Sequence, residues 1–528
     1  MKKSKTHPAS GWWLDAAILL ALASIWIGLV SAITQGRLTV MYDTFRDMAW
    51  AENIRAGRVW SDPTIAGHPY WYAPGNPLLF TAISHITGYS ITELYGTSAR
   101  WLNMLLPLLL YLLLRQTFDR TIALLALPVT FLGSFWWLTH TFAGMPSIQG
   151  VIFNLAALLS WRQCVLAPSG RRRAWLWPLL TGVLVAASIW HHPLCGGVLA
   201  GAIFLHAVYM ICRGGVKPTL TAVSGNRWRV LLHMLVVAVI AAVLAGPLIW
   251  HLATLPKVNL APLRFFAGEL LNPDYYAHAH APLVVPIAII GAAWILWRRT
   301  RETWIVAYLL VGLVGQAAGY LGHEGGWSVP YLLPHEFQWH AHLATGICAT
   351  VGIVVVARHA ARLWTWPRRL ELAIALRVIL LLAVTVGPAM GWLSHAGVYL
   401  LNLEPLCRVK RAHIEWIRRE TPLDAVFACT PEFGYQVVAG LTGRKCVCVP
   451  AGHMNPATDA TSRMADLEVM LKTSDERTFL DLARQYQAIY LIPPEEKTTA
   501  ISRYTGWQCL EPVLLAENDS VLIYRIRP

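Results

Sequence analysis

Charge is what this chain has little of. Asp, Glu, Lys and Arg make up only 14% of its 528 residues, against about a quarter in a soluble domain, while 56% are hydrophobic. So apolar a composition excludes a soluble globule and points to a membrane protein. Zinc-like spacings are absent: none of the nine cysteines forms a C-x-x-C pair, and no H-E-x-x-H occurs. No internal repeat or low-complexity segment stands out, so the paired halves of many transporters have no visible counterpart. Acid is scarcer than base, 29 Asp and Glu against 43 Lys and Arg, for a net charge of +14. In a soluble protein that balance would suggest nucleic acid, but in a membrane protein it is first tested against the gathering of Lys and Arg in cytoplasmic loops.

A bilayer core of about 30 Å takes roughly 20 apolar residues of helix. Eleven runs of that kind occur, at about 12–33, 98–114, 121–139, 145–165, 174–190, 193–212, 230–250, 283–297, 303–321, 342–357 and 371–393. The first follows "MKKSK" as a signal peptide would, yet it is longer than a usual apolar core and lacks an A-x-A site, so a retained helix is expected. With a cytoplasmic N-terminus, the loops at 115–120, 167–175, 212–229, 298–302 and 357–369 hold most of the basic residues of this half. The opposite loops at 140–144, 191–192 and 322–341 hold none. The exceptions are Arg37, Arg46, Arg55, Arg58, Lys257 and Arg264, in two longer outer loops. The expectation is a multi-pass protein of a plasma or inner membrane, with its C-terminal part extracytoplasmic and no nucleic-acid partner.

The composition changes near residue 405. "HIEWIRRE" has the pattern of an amphipathic helix, and "KCVCVP", "QAIYLIPP" and "SVLIYRIRP" are strand-like runs separated by the helical "SRMADLEVML" and "ERTFLDLARQY". This predicts a membrane module over 1–400, including a first outer loop at 34–97, and a small α/β domain over 405–528. Cys407, Cys429, Cys446, Cys448 and Cys509 fall in that domain, where an oxidising compartment permits disulfides. Five is odd, so at least one is expected to stay a thiol or to pair with another chain.

The outer loops are where chemistry is expected. In "DTFRDMAWAENIRAG" (43–57) a helical reading sets Asp43 and Asp47 one turn apart, with Arg46 beside them. Carboxylates at a membrane surface serve either as general bases toward a substrate anchored in the bilayer or as the solvated face of an interfacial helix. Spacing alone leaves both open. Arg46 either meets an anionic substrate or pairs with Asp43 or Asp47.

Continued to "GRVWSDPTIAGHPYWYAPGNPLLF", this stretch resembles the first outer loop of the GT-C glycosyltransferases. Within that superfamily it is most similar to the branch of lipid A aminoarabinose transferases and protein O-mannosyltransferases. The matching positions are Asp43, Arg46, Gly57, Pro63, Gly67, Pro69, Tyr70, Pro74, Pro77 and Leu78. Weaker likenesses are "SIWHHPLCGGVL" (188–199) and "VPYLLPHEFQWHAH" (329–342). The topology of nearly the whole chain is GT-C-like, and specific motifs cover about a fifth of it. Two departures are visible. The usual second acidic residue near the start of the fourth span is missing, where His140, Ser147 and Gln149 are the nearest polar groups, and Val329 and Pro330 stand where an Arg is expected.

The resemblance implies an α-helical polytopic transferase that moves a sugar from a polyprenyl-phosphate donor to a lipid, glycan or protein acceptor with inversion. It implies Asp43 as base, with Asp47 and Arg46 as helpers, and a leaving phosphate met by Arg46, His191, His192, Lys257 or Arg264. Tyr70, Trp71 and Tyr72 are expected to line the sugar or acceptor path, or else to form an aromatic belt. His191, His192, Lys257 and Arg264 have a plainer alternative at the headgroup level. The loops holding His278, His280, His323, Glu324, His335, Glu336, His340 and His342 leave three roles open: a divalent metal, hydrogen bonds to substrate, or structure. No cofactor is firmly implied. Against the transferase stand a transporter or lipid-binding protein without transferase activity, and a sensor or scaffold acting through the C-terminal domain.

Overall fold

The computed structural model describes residues 11–134, 140–166, 175–212, 227–256, 282–298, 301–324, 334–363, 369–494, 504, 506–516 and 521–527. Lys257, Arg264, His278 and His280 lie outside them, and for His323, Glu324 and His335 the backbone alone is described.

Helices form where the apolar runs lie. The first is α1 (Trp12–Thr34), and α4 (Ile91–Trp101), α5 (Leu105–Thr117) and α6 (Arg120–Leu132) follow the first loop. Beyond them come Pro146–Leu166, Leu176–His191, Pro193–Cys212, Arg227–Thr254, Val284–Trp297, Trp304–Glu324, Pro334–Leu363 and Arg369–Tyr399. Among the described residues, six helices are long and apolar enough to cross a bilayer, and four more are apolar but shorter. Leu20, Val239, Ile249, Trp297 and Leu382 stand exposed on them, as lipid-facing side chains do. The run expected as one span at 98–114 lies within Ile91–Thr117, one of those six, with a turn at 102–104 between α4 and α5. Asn103 stands in the gap between α4 and α5 and donates to the carbonyls of Thr141 and Ala143 at 2.7 and 2.8 Å.

The helix Pro334–Leu363 is the axis of the bundle, with 89% of its apolar window buried. It crosses Val284–Trp297 at backbone contact. A Cβ on Gly291 would lie 1.9 Å from the Cys348 carbonyl oxygen, and one on Gly352 would lie 2.1 Å from that of Ile287. Small residues permit such a crossing where lipid offers no hydrophobic drive between helices.

Between α1 and α4 the chain forms β1 (Thr39–Val40), α2 (Thr44–Arg55) and α3 (Gly75–Thr87). At its far end, β1 pairs antiparallel with β2 (Leu401–Asn402). A five-stranded mixed sheet then follows from β3 (Val426–Ala428), β4 (Lys445–Cys446), β5 (Ala488–Leu491), β6 (Leu510–Leu515) and β7 (Val521–Ile526), in the order β4-β3-β5-β7-β6. The expected strand runs became β4, β5 and β7, the expected amphipathic helix is Arg411–Glu420, and the two further helical stretches are Ala460–Lys472 and Glu476–Gln485. Strand β6 was not anticipated, because Glu511 and Pro512 interrupt its pattern. All nine cysteines are free thiols, and Cys429 and Cys446 pack around Gly434.

The sheet shares its core with the first loop. Phe45, Met48 and Ala49 of α2 and Phe80 of α3 join Phe427, Tyr435, Phe479 and Ile523 in one buried cluster. Polar ties reinforce this seam. Asn53 donates to the Gly443 carbonyl at 2.9 Å, and buried Lys445 donates to Asn53 Oδ1 at 3.0 Å and to the Asp62 carbonyl. Burial lowers the Lys445 ammonium to about 8, against the pull of Asp62.

The Gly291 crossing is directly testable. Gly291→Val must push the two helices apart, and overpacking of this kind costs about 1–3 kcal/mol. The expected outcome is a lower Tm of the detergent-solubilised protein by several degrees; an unchanged Tm would contradict the backbone contact.

Candidate active site

Helix α2 carries the densest charge of the first loop and is far from solvated: nine of its twelve residues are buried. The reading of an interfacial helix with a water-facing charged side is therefore corrected, because Arg46 and Asp47 are covered by Trp71, Tyr72 and Asn76 of the first loop, while Phe45, Met48 and Ala49 pack on the C-terminal sheet. Asp43 and Asp47 sit one turn apart in different surroundings. The Asp43 side chain, at the N-cap, is 43% exposed, and that of Asp47 is 1% exposed.

Asp47 is the partner of Arg46. Arg46 Nε and Nη2 each lie 3.0 Å from Asp47 Oδ1, and Asn76 Nδ2 donates to the other oxygen at 2.9 Å. Burial pushes the Asp47 carboxyl up, with Arg46 and Asn76 pulling it back. Burial also opposes the Arg46 charge, yet Asp47 beneath it prevails and its affinity for the proton rises. The guanidinium carbon lies 3.8 Å from the Tyr72 ring centre and 5.5 Å from that of Trp71, a cation–π arrangement.

Tyr72 leads from this pair into the helical bundle. Its ring meets His192 edge-on at 5.9 Å, and His192 Nε2 lies 3.3 Å from Glu336 Oε1. The start of α3 fits here only as glycine, since a Cβ on Gly75 would lie 2.5 Å from the Trp190 carbonyl oxygen. That close approach brings Asn76, and through it Asp47, to the turn that carries His191 and His192. Deeper in, Asn154 Nδ2 donates to Tyr308 Oη at 2.9 Å, and Tyr308 Oη lies 2.6 Å from His340 Nδ1. Ser188 donates to Asn154 Oδ1 at 2.7 Å.

Several buried polar atoms around this turn have no hydrogen-bond partner among the described residues: His191 Nε2, His192 Nδ1, and both amide atoms of Gln149. Each such atom costs about 1–3 kcal/mol if left bare. Gly150 packs against His192, with its Cβ position 3.3 Å from that of the histidine, and the Phe153 and His191 rings lie 4.6 Å apart.

Tyr70 stands apart from the Arg46 cluster. It stacks on His251 at 4.0 Å with 17° between the rings, and its carbonyl meets His251 Nε2 at 2.9 Å. Of the expected site residues, the structure thus gathers Asp43, Arg46, Asp47, Trp71, Tyr72, His191, His192, Glu336 and His340, and ties Tyr70 to the helix Arg227–Thr254. Asn76, Asn154, Tyr308, Tyr435 and His453 were not picked out from the sequence. Asn76 lies inside the motif "PGNPLL" and was open to notice; His453, a lone histidine in a Pro-Gly turn, was not.

His453 approaches from the C-terminal domain, its Nδ1 3.3 Å from Asp43 Oδ1. Tyr435 donates its hydroxyl to the Asp43 carbonyl at 3.4 Å. Among the described residues no three His, Cys, Asp or Glu side chains gather as metal ligands would. Asp47 is committed to Arg46 and Asn76, and the side chains of His278, His280, His323, Glu324 and His335 lie outside the described residues.

No family model matches the chain, and no curated protein does. Solved structures do. The oligosaccharyltransferase of Archaeoglobus fulgidus in its apo form aligns with a TM-score of 0.58 over 90% of this chain and 69% of its own, at 13% identity. ArnT from Cupriavidus metallidurans, bound to undecaprenyl phosphate, aligns over 98% of both chains with a TM-score of 0.53 at 16% identity. The mycobacterial arabinofuranosyltransferase AftD aligns over 97% of this chain and 42% of its own, with a TM-score of 0.58 at 16% identity. The fold is that of the GT-C glycosyltransferases. With its apolar helices, this makes the chain an integral membrane protein. Near the start of Pro146–Leu166, Gly150 packs on His192, and His192 pairs with Glu336.

The buried pair yields a stability test. Arg46→Met leaves the Asp47 carboxyl buried without its cation, which costs about 3–5 kcal/mol once that group is ionised. A carboxyl whose folded value is raised keeps its stability below the unfolded value and loses it as pH rises. Thermal unfolding of Arg46→Met is therefore expected to deviate from the parent increasingly from pH 4 to pH 8. A pH-independent difference would contradict the assignment.

Proposed function

We propose that this protein is an inverting glycosyltransferase that takes its sugar from a polyprenyl-phosphate donor and passes it to a lipid, glycan or protein acceptor on the extracytoplasmic side. The N-terminus then lies in the cytoplasm, and the C-terminal sheet domain lies outside with the first loop. Asp43 is the general base. The observation that carries this reading is the contrast within α2. Asp47 is locked to a buried arginine, while Asp43, one turn away, keeps a carboxylate open to solvent at the mouth of the same polar tract.

The step follows from those positions. Asp43 takes the proton of the acceptor hydroxyl or amine, the freed electron pair attacks the anomeric carbon, and the bond to phosphate oxygen breaks with its electrons leaving on polyprenyl phosphate. The departing phosphate gains charge and requires donors. Arg46 supplies a fixed cation, and the unpartnered Nδ1 of His192 and Nε2 of Gln149 suit a phosphate in the tract beneath it; His191, whose Nδ1 gives its proton to the Ala187 carbonyl, offers an N–H from Nε2 only as imidazolium. Lys257 and Arg264 are retained as further phosphate contacts. Tyr72 and Trp71, held under Arg46, suit the sugar face. His340 and Glu336 act by holding Tyr308 and His192 in place, and no step is routed through a metal. Among the similar folds, ArnT is bound to undecaprenyl phosphate, and the archaeal enzyme has been captured with an inhibitory peptide and a dolichol-phosphate. Both support a lipid phosphate carrier here.

The deciding experiment assays sugar transfer from a panel of polyprenyl-phosphate sugars. Asp43→Asn is expected to lower kcat by about 10²–10⁴ without changing Tm, since the side chain is partly exposed. Full activity in a folded Asp43→Asn protein would remove Asp43 from the role. A parent that turns over no donor would count against the transferase itself.

A further inference from the structure

We infer that His453 is a positioning residue that orients the Asp43 carboxylate for proton abstraction, so that the C-terminal sheet domain completes a site otherwise built on the first loop and the helices. The inference rests on the transferase reading above.

Asp43 needs an outside hold. At the N-cap of α2 it makes no side-chain hydrogen bond to its own helix, and with 43% of the side chain exposed nothing packs it into one rotamer. Among the described residues its carboxylate meets His453, at 3.3 Å. That imidazole is itself fixed. It ends the turn Ala451–His453, stacks on Tyr435 at 4.8 Å with 23° between the rings, and meets Tyr42 at 4.9 Å. Tyr42 and Tyr435 also contact each other at 5.0 Å, so the histidine stands in an aromatic clamp whose second member donates to the Asp43 backbone.

The groups facing His453 are Asp43, Tyr42, Tyr435 and, further off, Arg46. Burial keeps its proton affinity below the ordinary imidazole value, with Arg46 adding to the lowering and Asp43 opposing it. A neutral imidazole has one N–H to give. Placed on Nδ1, the N–H sits on the nitrogen 3.3 Å from Asp43 Oδ1 and leaves Oδ2 for the acceptor. During transfer the acceptor's proton moves to Oδ2, the acceptor heteroatom bonds to the anomeric carbon, and phosphate departs with the bonding pair. His453 keeps its proton throughout. Without it the carboxylate rotates freely, and a displacement near 1 Å in a reacting group costs up to about 100-fold in rate.

The test uses the full-length protein in detergent with the polyprenyl-phosphate sugar panel. His453→Phe keeps the aromatic clamp and removes the donor, and His453→Asn restores an N–H near the Nδ1 position. The expected result for His453→Phe is a kcat lowered roughly 10- to 100-fold with little change in KM, most of it regained in His453→Asn. A kcat for His453→Phe within about twofold of the parent overturns the inference, as does an Asn variant no better than Phe. ¹⁵N-histidine NMR supplies an arm that needs no turnover. The titration midpoint of His453 is expected to fall in Asp43→Asn, because the anion that favours the imidazolium is gone; an unchanged midpoint overturns the pairing. A parent without turnover but with an Asp43-dependent midpoint strikes at the transferase reading and leaves the pair standing.

Discussion

The buried pair of Arg46 and Asp47 is the constraint around which this region is organised. A guanidinium and a carboxylate with 7% and 1% exposure cannot be left in a poorly solvating interior without compensation. Asn76 takes the second carboxylate oxygen, and the Tyr72 ring covers the cation. Each of these partners belongs to a different segment, so satisfying one ion pair fixes the start of α3 and the 70–72 turn against α2. Through Tyr72, His192 and Glu336, the same demand extends to the central helix of the bundle.

That anchoring gives the two acidic residues of α2 different tasks. Both oxygens of Asp47 are taken, by Arg46 and Asn76, whereas the Asp43 carboxylate is partly exposed beside an imidazole. The division arises from burial, since both residues are Asp, four positions apart on one helix. What covers α2 on the Asp47 side is the first loop folding back on itself. What reaches Asp43 is a turn of the C-terminal domain.

The continuity of the core between the first loop and the C-terminal sheet has a mechanical consequence. Phe45 and Met48 of α2 pack with Tyr435 and Phe427, and Lys445 is buried between Asn53 and the Asp62 carbonyl. A displacement of the sheet therefore displaces α2. The C-terminal sheet is part of the frame that holds α2 in place, with Asn53, Asp62 and Lys445 acting as the polar pins of the seam.

Sequence by itself determined the helices. A run of some twenty apolar residues has to satisfy its backbone internally in lipid, so composition and length were enough to locate nearly every bundle helix and the membrane class. It also marked α2 and the 67–78 turn, because charge in so apolar a chain stands out and the order of Gly and Pro resembles the GT-C loop. The α/β character of the tail was legible from alternating runs, although β6 was hidden by Glu511 and Pro512. Only the tertiary structure decided which carboxylate Arg46 takes, that Tyr70 stacks on His251, and that Glu336 meets His192. These depend on contacts between residues up to about 400 positions apart, for which local pattern carries no signal. His453 is the clearest case: nothing about "PAGHM" announces it, and its place beside Asp43 exists only because a sheet 400 residues downstream packs on α2.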